Sequence, residues 1–95
     1  MPTDPLLKPS DFETLIGTDL PVRESEIAFR IDAVTRLTPH ALRAEPFSLV
    51  LMLPAGWQGA QGIYQLLHPA LGWLEIFCTP IEPAAGCARL EAVFN

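Results

Sequence analysis

Ninety-five residues, 49% of them apolar and 18% charged, make one globular domain with a modest core, because a chain of this size buries only about 60–65% of its unfolded surface. The net charge of −5, with six scattered cations and no basic run, excludes a phosphate-backbone partner and makes a poor match for anionic lipid. No stretch approaches the roughly 20 apolar residues that span a bilayer, the first residues lack the regions of a signal peptide, and two cysteines make no disulfide framework, so cytoplasmic residence is the expectation.

Residues 1–9 carry three of the ten prolines and read as an extended arm, with residues 10–95 as a single β domain. Ser10, with Glu13 three positions on and Gly17 after the last apolar residue, predicts a short capped helix. Phe12, Leu15 and Ile16 share its apolar face. Two turns do not hold alone, so this face must dock on the sheet.

Leu20–Val22 reads as a short strand that Pro21 confines to an edge. Arg23–Glu26 is a solvated turn. Ile27, Phe29 and Ile31 alternate with polar or small residues as in a half-buried strand, and the alternation blurs at Ala33-Val34 in the manner of a bulge. Thr38–Pro46 is a loop. Phe47, Leu49, Leu51 and Leu53 line one face of the next strand and Ser48, Val50 and Met52 the other, which predicts a central strand. Pro54–Gly62 is a loop carrying Trp57.

The last third is a three-strand meander: Ile63–Leu67, Trp73–Ile81 and Ala88–Phe94, joined by His68–Gly72 and Glu82–Gly86. Five-residue loops set Leu66 opposite Leu74 and Tyr64 opposite Ile76. They also set Cys78 opposite Leu90, Ile76 opposite Ala92 and Leu74 opposite Phe94. Side chains alternate along a strand, so all of these share one apolar face, and that face is a core. The fold class that results is mainly β (α+β): a compact antiparallel sheet, barrel or sandwich-like, of five to six strands with one short N-terminal helix.

The chemistry-bearing residues read as structural. His40 and His68 lie in no ligand motif, and the ring of His68 can bond local backbone before Pro69. Pairing Cys78 directly with Cys87 would bury Arg89 and Glu91 without partners, which costs more than so short a bridge returns. Two reduced thiols are therefore expected. Ser48 sits on no nucleophile elbow. Glu75 and Glu91 share the outer face with Arg89 and read as a solvated charge ladder. Glycines 56, 59 and 62 follow no phosphate-loop spacing. No enzyme activity, metal or cofactor is expected.

The outer face of the meander is too apolar for a wet surface. The register sets Leu67 opposite Trp73 and Ile63 opposite Phe77, with Val93 alongside. Either the helix face of Phe12, Leu15 and Ile16 covers this patch, or another chain does. Ile63, Leu67, Trp73, Phe77 and Val93 are the candidate partner-binding residues, and the partner is another protein or a second copy. A small barrel holding an apolar ligand between sheet and helix is the alternative.

Several segments, in order along nearly the whole chain, resemble a bacterial family of small domains of unknown function. They are Asp11-Phe12 through Leu15-Ile16-Gly17, Pro46-Phe47-Ser48-Leu49, Gly62-Ile63-Tyr64, His68-Pro69-Ala70-Leu71-Gly72, Pro80-Ile81 and Glu91-Ala92-Val93-Phe94-Asn95. The resemblance implies no catalytic residue. It implies a non-catalytic interaction or assembly role, accessory to a phage-tail-like or surface-fibre system, and ordinary strand positions for Cys78 and Cys87.

Overall fold

The computed structural model describes residues 7–95. The chain runs α1 (Ser10–Glu13), β1 (Asp19–Pro21), β2 (Ala28–Arg36), β3 (Phe47–Met52), β4 (Gly62–His68), β5 (Gly72–Ala84) and β6 (Cys87–Phe94). The strands form one antiparallel six-stranded sheet in the order β1-β2-β3-β6-β5-β4. Two three-stranded meanders are thus joined through β3 and β6. The sheet curls until its ends meet: Val22 bridges Leu66 of β4, and the Arg23 N–H donates to the Gln65 carbonyl at 2.9 Å. Near closure leaves little free strand edge.

The inward positions are those that alternation selects. Phe29, Ile31, Leu49, Leu51, Leu66, Ile76 and Leu90 are all under 2% exposed. β3 is central, paired to β2 and β6, as its two apolar faces predict. The connection from β3 to β4 closes one end of the barrel. It approaches so closely that a Cβ on Gly59 would come 2.9 Å from Cδ2 of the buried Leu90.

The opposite end is closed by α1. Phe12 is fully buried against the stacked pair of Phe47 and Phe94, with His68 edge-on at 5.3 Å. The helix therefore docks on the barrel end and not on the outer sheet face. Leu15 packs against the core, whereas Ile16 is left exposed. The expected capping box does not form. Pro9 is the N-cap, without a side-chain cap bond, and Asp11 instead accepts the Lys8 N–H at 2.8 Å. Glu13 is drawn away by Arg36 of β2, which donates twice to its carboxylate at 2.9 Å. Gly17 does end the segment, at φ 87°. Of the expected arm, residues 1–6 lie outside the described residues, and Leu7 and Pro9 are buried.

Two irregularities in the ladders set which side chains face out. In β2 the register shifts between Ile31 and Ala33, so the extra residue is Asp32, one position before the blurred alternation. In β5 the shift lies between Ile81 and Ala84. The β5–β6 turn is also tighter than five residues: Ala84 pairs with Cys87, and both Ala85 and Gly86 have positive φ, as in a type I′ hairpin. A two-residue turn alone would set inward residues of β5 against outward residues of β6. The extra residue among Glu82 and Pro83 restores the parity, and Pro80 rather than Cys78 stands opposite Leu90. The register is thus displaced by two, which keeps inward residues inward, and the expected pairs of Cys78, Ile76 and Leu74 with β6 do not form because the ladder between these strands begins at Thr79. β5 also changes partners: Gly72–Cys78 pairs with β4 and Thr79–Ala84 with β6. Pro80 falls where β4 no longer runs alongside, on the free side that proline tolerates.

Candidate functional site

The outer face of β4, β5 and β6 carries four of the large apolar side chains that stand exposed among the described residues. Its residues come from alternation: those flanked by buried Leu66, Leu74, Ile76 and Leu90 must point to solvent. The β4–β5 register is the expected one, with Ile63 opposite Phe77 and Leu67 opposite Trp73. Ile63 is 68% exposed, Phe77 53% and Trp73 44%. Leu67 is half-buried. Val93 is 54% exposed and lies opposite Ser48 of β3. The β5–β6 ladder ends at Thr79 and Glu91, so Val93 has no ladder partner on β5.

Arg23 joins this face, which its place in a solvated turn did not suggest. Its guanidinium lies 5.5 Å from the centre of the Trp73 ring, and Nη1 donates to Gln65 Oε1 at 3.1 Å. The Gln65 amide donates in turn to Glu75 at 3.5 Å. Only closure of β1 against β4 brings Arg23 there, and no local pattern signals a closure between strands so far apart in sequence. Arg89 leaves the expected ladder with Glu75 and Glu91. It turns the other way, to the Glu82 carbonyl at 2.9 Å and to Asp32 at 3.6 Å. Both acceptors are residues that the bulges displaced from the regular ladder.

The remaining polar groups are engaged in structure. His68 is buried, its Nδ1 accepting the N–H groups of Ala70 and Leu71 at 3.0 and 3.1 Å. Its Nε2 donates to the Asp11 carbonyl at 2.7 Å, so one ring ties the β4–β5 turn to α1. His40 bonds the Asn95 side chain and the Leu42 N–H. Cys78 and Cys87 are unbridged. Burial pushes the Cys78 thiol up to about 12. Among the described residues, no group of three histidine, cysteine or carboxylate side chains converges as a metal site. No helix there is long and apolar enough to cross a membrane. A cleft of about 630 Å³ lies between Trp57 and Gly59 of the β3–β4 connection and Pro80, Pro83 and Arg89 of the hairpin.

A small, nearly closed antiparallel barrel with an end-capping helix and an exposed aromatic face is the class that these features define. The profile of a family described as "Domain of unknown function (DUF6916)" matches residues 7–94, and the chain belongs to that family. No curated protein and no solved structure matches the chain.

Proposed function

We propose that this domain is a non-catalytic interaction module that receives another protein chain on the outer face of β4, β5 and β6. One observation carries the reading: Ile63, Trp73, Phe77 and Val93 remain 44–68% exposed together, while the helix commits Phe12 to the barrel end. Two aromatics and three aliphatics set among Gln65, Glu75, Glu91 and Arg23 have the composition of an interface centre with a polar rim. Monomers rarely keep so large a patch in water. The carboxylates on this face make it unsuited to phosphate backbones and anionic lipid. A cytoplasmic assembly role, accessory to a phage-tail-like or surface-fibre system, belongs to the same proposal. An apolar ligand held between sheet and helix would need a void of about 300 Å³ or more, and the clustering of the buried apolar side chains into one core favours the docking face over that reading.

The test is Phe77→Glu, which places a charge in the patch without touching the core. The variant keeps the wild-type circular dichroism and melting temperature, and it loses the partner that the wild type retains from its native host. Ile16→Glu, an equally exposed site at the barrel end, keeps that partner. Unchanged binding by Phe77→Glu would place the interface elsewhere.

A further inference from the structure

Building on the reading of the outer face as a docking surface, we infer that its occupant is an extended cationic amphipathic protein segment and not a second copy of this chain. The reason is charge. The chain's six cationic side chains all lie among the described residues, and four of the five arginines are committed away from the face. Arg30 pairs with Asp19, Arg36 with Glu13 and Glu45, and Arg89 with Asp32. Arg43 donates to the Leu7 carbonyl beneath α1 and lies against the rings of Phe47 and Phe94.

Of the five arginines, Arg23 alone reaches the face, and its carboxylate contact is Glu24 at 4.0 Å. Glu75 and Glu91 make no ion pair among the described residues. Glu75 accepts from the Gln65 amide, and at Glu91 it is the backbone carbonyl that accepts from the Thr79 hydroxyl. Covering this face strips water from two carboxylates that the chain itself does not neutralise, which is costly unless the cover brings cations. A second copy brings more carboxylates than arginines, and a further net charge of −5.

Spacing fixes the form of the partner. Trp73 and Phe77 stand four residues apart on β5, about 13 Å, with Glu75 between them. One face of an extended segment reading apolar, cationic, apolar at alternate positions repeats that period. Its lysine or arginine meets Glu75 in a charge-assisted bond while its apolar side chains meet the aromatics.

The test uses two synthetic peptides, Leu-Thr-Lys-Thr-Leu-Thr-Lys-Thr-Leu and the same sequence with Glu for Lys. Binding is followed by Trp73 fluorescence in a Trp57→Phe background, with sedimentation of the chain alone alongside. The chain sediments as a monomer, and the lysine peptide binds about tenfold or more tightly than the glutamate peptide. Glu75→Gln with Glu91→Gln removes most of that preference. Glu26→Gln with Glu82→Gln removes the same charge from exposed sites elsewhere and keeps it. Equal binding of both peptides, lost in Phe77→Ser, overturns the cationic partner and leaves the docking face standing. Lysine-peptide binding that survives Phe77→Ser overturns both. Binding of neither peptide, a preference that survives the Glu75 and Glu91 changes, or a dimer that Phe77→Ser dissociates each overturns the inference.

Discussion

Phe12 shows how much one side chain decides in a small domain. It is fully buried against Phe47, Phe94 and His68, and it holds a helix of four residues that has no independent stability. Phe12→Ala is expected to cost about 3 kcal/mol, read as a lower urea midpoint at an unchanged slope. An unaltered midpoint would show α1 to be detached in solution. The two thiols make a second contrast. Cys78 is buried and Cys87 half-buried at the hairpin. At pH 8 a thiol reagent should therefore label one group per native chain, and both after unfolding. Two fast-reacting groups in the native protein would contradict the burial of Cys78. Burial disfavours the Cys78 thiolate only in the folded state, raising the pKa from 9.0 to about 12. Its contribution to stability is whole below pH 9 and is lost as pH rises toward 12. Stability of Cys78→Ala, measured over the same range, should lack that part of the decline.

At the scale of elements, the β5–β6 hairpin shows what periodicity can and cannot read. Inward and outward positions on both strands follow from alternation alone, because a residue that faces the wrong way exposes an apolar group or buries a charge. A displacement by two residues carries no such penalty. The five-residue loop and the observed two-residue turn with its bulge both satisfy the pattern, and only the backbone conformation of the turn separates them. Ala85 holds φ 53°, a region that costs an L-residue other than asparagine or aspartate about 1 kcal/mol. Ala85→Asn should thus stabilise the domain by about 0.5–1 kcal/mol, a rise of roughly 3–6 °C in Tm. A lower Tm would mean that the turn is not of this type. The helix teaches the opposite lesson. Ser10 and Glu13 have capping-box spacing, yet Glu13 forms two bonds to Arg36 of β2. A charge-assisted pair from a neighbouring strand competes with a local cap for the same carboxylate, and the local spacing holds no information about it.

For the whole molecule, the barrel is held unequally around its circumference. β3 is paired along its length on both sides, whereas Val22 and Arg23, just after β1, meet β4 through one bridge and one further bond. Native-state hydrogen exchange should find β3 amides opening only with global unfolding, and the Arg23 amide opening locally at lower cost. Equal protection of the two would mean a fully closed barrel. What the sequence determines by itself is the set of strands, the central place of β3, the inward side of each strand and the Ile63–Phe77 and Leu67–Trp73 pairs of the exposed face. Each of these depends on neighbours close along the chain or on the two-residue period of a pleated strand. What the tertiary structure alone decides is where the helix docks, and hence that the aromatic face stays open. It also decides that Arg23 joins that face, and that Arg89 leaves it for residues displaced at two bulges. Those outcomes depend on groups far apart in sequence meeting across a curled sheet, and the energy of such meetings is written in no local pattern.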